Sequence, residues 1–346
     1  RLAGEAAATR LAREALGVGR DRFERRPQIR RSLGGYAGVG GWIYTLTYLG
    51  ALWRDDALLD EAERAVEHVG PALPHDRGLD VISGAAGAAV ALLELHRHRP
   101  SASTLAAAAA CGESLVAKAE PQDGGARGAA WTLPSIAELP LTGFGHGAAG
   151  IAWALARLAA VTGDPRFDDA ANGGLDYERH LFSPAHRNWP DLRHDRLRDG
   201  EWSYFHAWCH GAPGIGLARL DLLDRWGGDR LDRAGRVAEI RAAARSTLEA
   251  GFGDNHSLCH GDLGNLELIH RAADALDDGE LRRGADRLTA WVLATLEAGP
   301  VHCGLTSRAE LPGLMTGIAG VGYGLLRLAA PDAVPSVLLL ETPDPA

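Results

Sequence analysis

The sequence predicts an all-α protein in which about six to seven helix pairs form a closed α/α toroid, or barrel, with glycine-rich starts to its inner helices. Two observations carry this prediction. Glycine accounts for 44 of 346 residues, well above the usual frequency of ~7%, although no collagen-like or linker-like tract is present. Six segments also repeat a Gly-x-x-Gly step that leads into an apolar stretch, and they begin at Gly35, Gly84, Gly147, Gly211, Gly261 and Gly317.

Each of these six motifs predicts one buried helix. Apolar residues recur at positions i, i+3, i+4 and i+7 in segments such as GAAGIAWALARLA and GIAGVGYGLLRLA, which is the spacing of a helix with a buried face. Successive first glycines are 49, 63, 64, 50 and 56 residues apart, which leaves room for a second, connecting helix. Residues 55–69 and 228–250 are examples of such connecting runs.

The two ends of the chain favour a ring over an open stack. An open array of helix pairs needs polar capping units, because a single pair cannot bury both of its faces. Here the first and last motifs are as apolar and as rich in glycine as the middle ones. We therefore expect a closed ring with the motif helices inside, where glycines allow tight turns and close backbone approach.

Charge and composition exclude several classes of function. The net charge is −9, and 35 of the 36 basic residues are dispersed arginines, which argues against a nucleic-acid footprint or a polybasic membrane anchor. No apolar run is long enough for a membrane span and no signal peptide is evident, so a cytoplasmic location is expected. Four widely spaced cysteines do not suggest a disulfide scaffold. The chain begins without methionine, and we expect an excised or split-off domain.

Three neighbouring motifs carry chemistry at the same repeat position. His146, His210 and His260 each stand immediately before the first glycine, and Cys209 and Cys259 precede the last two of these histidines. Equivalent positions of a ring converge at one end. Cysteine and histidine from different elements form zinc sites, and three ligands leave a fourth position open for water or substrate. A lone buried Cys or His is more often a core residue, but two CHG triplets and one GHG at the same position favour a metal.

Other candidate residues lie outside this pattern. Asp80, in LDVISG, is either a general acid or base at the cavity mouth or a helix cap, and the cap is favoured. Cys111 is interpreted as a structural residue, and Cys303 as either a cavity-edge or a core residue, with the core favoured. An excursion at about 176–207 is rich in aromatic, Arg and His residues, and it either clamps a substrate or is a solvated loop. Residues 331–346 are expected to form a short C-terminal tail.

The motifs GFGHGAAGI, AWCHGAPGIGLARL, LCHGDLGNLELI and PGLMTGIAGVGYGLLRL, followed by VPSVLLLETP, resemble the lanthionine synthetase C-like family. The resemblance is specifically to the C-terminal cyclase domain of class II (LanM-type) lanthipeptide synthetases. It extends from Gly35 to about Thr342. It implies that residues 1–346 form a single cyclase domain that lacks the N-terminal dehydratase of the full-length enzymes.

The resemblance also implies a site. One zinc per chain would be bound by Cys209, Cys259 and His260, with water or a substrate thiolate as the fourth ligand. His146 and Asp80 match family positions implicated in acid–base work. The implied reaction adds cysteine thiolates to dehydroalanine or dehydrobutyrine of a dehydrated precursor peptide, and so closes lanthionine or methyllanthionine rings.

Two departures from the stand-alone cyclases affect the acid–base residues. Phe205 stands where those enzymes carry arginine, and His210 stands where they carry tyrosine, so His210 is expected to share the proton handling. No Gly-rich phosphate loop follows a strand and opens a helix. The chain is therefore expected to act on peptides already dehydrated by a partner dehydratase, without ATP.

Two alternatives remain at this stage. The same fold and zinc could add glutathione or another small thiol to dehydroamino acids. A toroid of this kind could also grip a peptide without catalysis and keep zinc for structure. A glycoside hydrolase on a similar ring would need paired carboxylates, whereas the motif ends offer only Asp80 and Asp262.

Overall fold

A computed structural model describes residues 6–193, 197–198, 200–305 and 309–345. In these ranges the α-helices are α1 (Ala6–Arg25), α2 (Pro27–Arg30), α3 (Gly38–Trp53), α4 (Asp56–Ala65), α5 (Val69–Ala72), α6 (Ala85–His98), α7 (Ala102–Ala117), α8 (Ala148–Thr162), α9 (Pro165–Leu181), α10 (Ala212–Arg225), α11 (Arg233–Ala250), α12 (Asp262–Ala275), α13 (Gly279–Ala298) and α14 (Ile318–Ala329). Two small antiparallel pairs join β1 (Glu120–Pro121) to β2 (Ala129–Ala130) and β3 (Leu197–Arg198) to β4 (Glu201–Trp202).

The motif helices form the inner layer of an α/α toroid. Helices α3, α6, α8, α10, α12 and α14 follow the six glycine motifs, and each packs against the next in this order. The first five also pack against the outer helix that follows them in the chain. The hydroxyls of Tyr48 on α3 and Tyr323 on α14 lie 2.9 Å apart and link the first inner helix to the last. The predicted fold class is confirmed.

The glycines of the motifs are required by close backbone approach. In the last five motifs the first glycine is the N-cap of its helix, as Gly147 is for α8. The second sits under the loop that precedes the helix: a Cβ at Gly150 would lie 2.0 Å from the carbonyl oxygen of Phe144, and one at Gly214 would lie 1.9 Å from that of Trp208. No side chain fits in this space, and this requirement accounts for part of the high glycine content.

The first motif has a different register from the one predicted. Helix α3 has Ala37 as its N-cap, and a Cβ at Gly40 would lie 2.2 Å from the carbonyl oxygen of Gly34. The equivalent step is therefore Ala37-x-x-Gly40, and the start at Gly35 was wrong by two residues. The overlapping glycines of GYAGVGG allow both registers, and only the packing selects one.

Backbone hydrogen bonds tie equivalent positions of neighbouring repeats together. The amide of Gly145 donates to the carbonyl of Cys209 over 3.0 Å, that of Cys209 donates to Cys259 over 3.2 Å, and that of Cys259 donates to Met315 over 2.9 Å. These four residues occupy the same place in four successive repeats. The loops before the inner helices therefore meet at one end of the ring, as the repeat pattern predicts.

The C-terminal segment is part of the core. Leu338 is fully buried, and its carbonyl accepts a 3.1 Å hydrogen bond from the indole of Trp208. The hydroxyl of Tyr36 donates to the carbonyl of Val337 over 2.6 Å. The predicted tail thus packs against the inner layer of the ring instead of lying on its surface.

The predicted excursion begins later in the chain than expected. Helix α9 continues to Leu181, so the excursion begins about six residues later than predicted and occupies the connection from α9 to α10.

None of the helices in the described ranges combines the length and the apolar character that crossing a membrane requires.

Candidate active site

Three side chains that could hold a metal converge at the end of the ring where the loops meet. The ligand atoms of Cys209, Cys259 and His260 all lie within 4.8 Å of one another, and all three side chains are half-buried. Each Cys comes just before the N-cap glycine of an inner helix. The hydrogen bond between the Cys209 amide and the Cys259 carbonyl brings the two loops together.

The orientation of the His260 ring is fixed from behind. Its Nε2 lies 2.8 Å from the carbonyl oxygen of Gly304, so Nε2 carries the proton and Nδ1 keeps its lone pair for a metal. A Cβ at Gly304 would lie 2.7 Å from this Nε2, so only glycine leaves room for the ring. A second hydrogen bond of this kind is the usual support of a metal-binding histidine. Sequence reasoning missed Gly304.

The donor set fits zinc. Two thiols and one imidazole nitrogen are the ligands of many zinc sites, and three protein ligands leave a position for a further ligand. Hydrogen bonds to Cys259 and His260 lower the pKa of the Cys209 thiol well below its usual range. Its neighbour Cys259 has a raised pKa because it donates to Cys209 and is buried. The Cys209 thiolate in turn raises the pKa of His260. These shifts favour a thiolate at Cys209, whose negative charge attracts a cation.

His146 and Asp80 form a hydrogen-bonded pair beside this cluster. The His146 Nδ1 lies 2.5 Å from Asp80 Oδ2, and the other Asp80 oxygen accepts from the Ser83 amide over 2.7 Å. Asp80 is fully buried, so it orients His146 and does not itself face the cavity as a general acid or base. It does not cap α6 either: Asp76 Oδ2 accepts the Ala85 amide over 2.9 Å. The predicted cap was therefore wrong.

His210 faces the same region from the next repeat. Its ring centroid is 6.1 Å from that of His146, and the side chain is only 5% exposed. Burial lowers the pKa of His210, which favours the neutral ring, although the Cys209 charge opposes this effect. Among the residues that the structure describes, none hydrogen-bonds its Nδ1.

A cavity of about 500 Å³ contains these groups. His146, His210 and the three ligand residues line it, together with Arg193, Tyr204, Phe205, His206 and Ala207 of the excursion. These residues of the excursion therefore form part of the site.

An ion pair with Asp191 holds Arg193 at the cavity. The Arg193 Nε donates to the buried Asp191 carboxylate over 2.9 Å. The motif WPDLR held these two residues, but no repeat position marked them.

Structural roles are assigned to the remaining cysteines and to Asp262. Cys111 and Cys303 are buried, and neither belongs to the cluster of Cys209, Cys259 and His260. Burial raises the pKa of Cys111 to about 12. Both fit their interpretation as structural or core residues. Asp262 accepts the Gly253 amide over 2.9 Å, so its carboxylate holds a cavity loop in place.

Comparison with known proteins places the chain in a family. The family profile described as "Lanthionine synthetase C-like protein" matches residues 2–339. The chain belongs to the lanthionine synthetase C-like family. This lanthionine synthetase C-like chain is also 28% identical over 195 residues to the "Lacticin 481/lactococcin biosynthesis protein LcnDR2" of Lactococcus lactis subsp. lactis. That match covers 54% of this chain and 20% of the relative, so the match spans about a fifth of the relative's length.

Solved structures show the same fold. Nisin cyclase superposes with a TM-score of 0.54 at 17% identity, over 97% of this chain and 98% of that one. Cellobiose 2-epimerase from Bacillus thermoamylovorans B4167 gives a TM-score of 0.53 at 12% identity, over 76% and 77% of the two chains. The Lin0763 protein from Listeria innocua gives 0.51 at 14% identity, over 80% and 79%. At such identities the likeness concerns the toroid alone.

Proposed function

We propose that this chain is a zinc-dependent peptide cyclase. It adds cysteine thiolates of a dehydrated precursor peptide to dehydroalanine or dehydrobutyrine in the same peptide, and forms lanthionine or methyllanthionine rings. The observation that carries the proposal is the convergence of Cys209, Cys259 and His260 in one cavity with the Asp80–His146 pair. Membership of the lanthionine synthetase C-like family supports it.

The three ligand residues prepare the nucleophile. A free thiol has a pKa of roughly 8.5, so little of it is thiolate at neutral pH. Zinc, when bound by Cys209, Cys259 and His260, supplies the positive charge that keeps a substrate thiol ionised. Two thiolate ligands make the site electron-rich, which keeps the substrate sulfur nucleophilic. The 500 Å³ cavity beside the cluster gives a peptide segment access to these residues.

Proton transfer is assigned to the histidines. The substrate S–H gives up its proton, the sulfur forms a bond to the β-carbon, and the α-carbon takes up a proton, so the peptide keeps its composition. His146 bonds Asp80 through Nδ1, which leaves Nε2 as the nitrogen that exchanges protons with the substrate. His210, whose ring centre is 6.1 Å from that of His146, shares this work.

Partner and location follow from the reaction. The substrate must already contain dehydroamino acids, so a dehydratase acts first, and we propose that this chain is the cyclase part of a class II synthetase. The match to a lacticin 481 biosynthesis protein five times longer than the aligned part supports this origin. Two neighbouring free thiols at Cys209 and Cys259 suit a reducing compartment, which favours the cytoplasm.

Metal content tests the site without a substrate. We expect about one zinc per chain by elemental mass spectrometry, loss of that zinc in Cys259→Ala, and retention in the control Cys303→Ala, because Cys303 lies outside the cluster. Zinc-free protein that takes up no zinc when it is supplied contradicts the proposal.

Activity separates the cyclase from its alternatives. We expect His146→Ala to keep its zinc and lose cyclisation of a dehydrated peptide, whereas a purely structural toroid has no cyclisation to lose. A dehydrated peptide whose cysteines are alkylated cannot close rings, and we expect the protein to add no glutathione to it when glutathione is supplied. A glutathione adduct formed faster than ring closure in the unblocked peptide supports the small-thiol reaction instead.

A further inference from the structure

Glu178 on the outer helix α9 is a fully buried carboxylate outside the cavity. One of its oxygens, Oε1, accepts two backbone hydrogen bonds, from Gly143 over 3.0 Å and from Ala149 over 3.0 Å. These two amides lie on either side of His146. The carboxylate therefore clamps both ends of the segment 143–149 that presents this histidine.

The clamped segment is pressed against the metal-ligand loop. Gly143 has a φ of +97°, and a Cβ there would lie 3.1 Å from the carbonyl oxygen of Cys209. The amide of Gly145 donates to this same carbonyl over 3.0 Å. Glu178 thus holds the segment from the outside while Cys209 holds it from the inside, and the distance between His146 and the ligands depends on both.

We propose that Glu178 is a positioning residue that holds His146 in register with the metal ligands through its two hydrogen bonds to Gly143 and Ala149. The inference rests on the proposed cyclase function and extends it to a residue that touches no substrate. Displacing a catalytic group by about 1 Å costs a reaction on the order of 100-fold, so this clamp has a measurable effect on the rate.

The charge of the clamp changes near neutral pH. Burial raises the pKa of Glu178 to about 7, while the Arg219 guanidinium and the two amides oppose this shift and Glu239 adds to it. Arg219 lies on α10, Glu239 on α11 and Tyr177 next to Glu178 on α9. Within the described residues the second oxygen, Oε2, makes no hydrogen bond, so a proton placed there gains no acceptor.

Ionisation of Glu178 strengthens its two hydrogen bonds to the segment 143–149. The carboxylate is ionised above pH 7, and hydrogen bonds to a charged acceptor are roughly twice as strong as neutral ones. We therefore expect the clamp to tighten as the pH rises through 7 and to loosen below it. That expectation concerns local opening of the segment with Glu178 still buried. Global unfolding exposes Glu178 to water and returns its pKa to the ordinary 4.5, so the sign is opposite there: the free energy of unfolding falls as the pH rises from 4.5 to about 7.

Two variants separate the clamp from a general structural role. Glu178→Gln keeps an oxygen that can accept both amides but cannot titrate, and Glu178→Ala removes the acceptor. Glu113→Gln is the matched control, because Glu113 is an exposed carboxylate on the neighbouring helix α7. Each zinc-loaded variant is compared with the wild type by hydrogen–deuterium exchange of the peptide segment 141–152 and by cyclisation of a dehydrated peptide between pH 5.5 and 8.5.

We expect the wild-type segment to lose about tenfold in protection factor from pH 8 to pH 6, and Glu178→Gln to show no such change. We expect Glu178→Ala to expose the segment at all pH values and to lower kcat about 10- to 100-fold with an unchanged KM. Loss of pH dependence in Glu178→Gln keeps the test decisive even if the alanine variant does not fold.

Wild-type protection and kcat in Glu178→Ala, or an unchanged pH dependence in Glu178→Gln, overturn the proposal. The exchange measurement needs no substrate. A chain that shows the expected exchange but closes no rings would refute the cyclase function and leave the clamp in place.

Discussion

Replacing Asp80 by asparagine tests the pair that orients His146, to which we assign proton transfer. Asp80 is fully buried and its Oδ2 lies 2.5 Å from His146 Nδ1. Asparagine has nearly the same shape and keeps an oxygen for the Ser83 amide, so the loop is expected to survive. The change removes one charge-assisted hydrogen bond, which contributes about 1.5–3 kcal/mol.

If this energy is expressed in the transition state, Asp80→Asn slows cyclisation by about 10- to 150-fold. The assay follows the loss of alkylatable thiol from a dehydrated peptide by mass spectrometry, with zinc content measured on the same sample. Because Asp80 acts through His146, the double variant with His146→Ala is expected to be as slow as His146→Ala alone. Additive losses in this cycle, or a wild-type rate in Asp80→Asn, would refute the reasoning.

Further predictions concern the metal support and the fold. Gly304→Ala, whose Cβ would lie 2.7 Å from His260 Nε2, is expected to weaken zinc affinity about 10- to 100-fold, measured by competition with a chromogenic chelator. Gly214→Ala places a Cβ 1.9 Å from a backbone carbonyl oxygen and is expected to lower the free energy of unfolding by about 2 kcal/mol or more. Gly322→Ala, which has open space around it, is expected to raise the free energy of unfolding by up to ~1 kcal/mol. Urea denaturation measures both changes. Chelation of the metal is expected to make Cys209 and Cys259 reactive towards a thiol reagent, and a reagent count that does not change on chelation contradicts their role as ligands.

The metal-ligand cluster could be predicted from the sequence because it obeys the repeat. Cys209 and Cys259 occupy equivalent positions, and the hydrogen bond between their backbones converts that equivalence into proximity. The ring itself was predictable from the repeated apolar motif helices, of which α8 is buried at every residue from Ala148 to Ala159.

The repeat does not predict the supporting residues, because they lie off its positions; Asp80 was a candidate through its own motif and the family resemblance, but its contact with His146 was not predicted. Asp80 stands four residues before the N-cap Gly84, off the position of the ligands, and its contact with His146 joins two different repeats. Glu178 and Gly304 reach the site from an outer helix and from a loop, through contacts that no local pattern marks.

Register and burial were the other limits. The run GYAGVGG has glycines at positions 35, 38, 40 and 41, and the contact of Gly40 with the Gly34 carbonyl selects the register Ala37-x-x-Gly40. The apolar run VPSVLLLET could end the chain on the surface or inside it. Trp208 and Tyr36 supply donors for its carbonyls, and these distant partners bring it into the core.

Ring closure in a dehydrated peptide tests the central claim most directly. Zinc-loaded wild-type protein and Cys259→Ala are each incubated with a dehydrated peptide that contains free cysteines, and the product is alkylated and weighed. We expect the wild type to remove the alkylatable thiols without changing the mass of the peptide before alkylation, and the variant to leave those thiols in place. Thiols that remain alkylatable after incubation with folded, zinc-loaded wild type would contradict it.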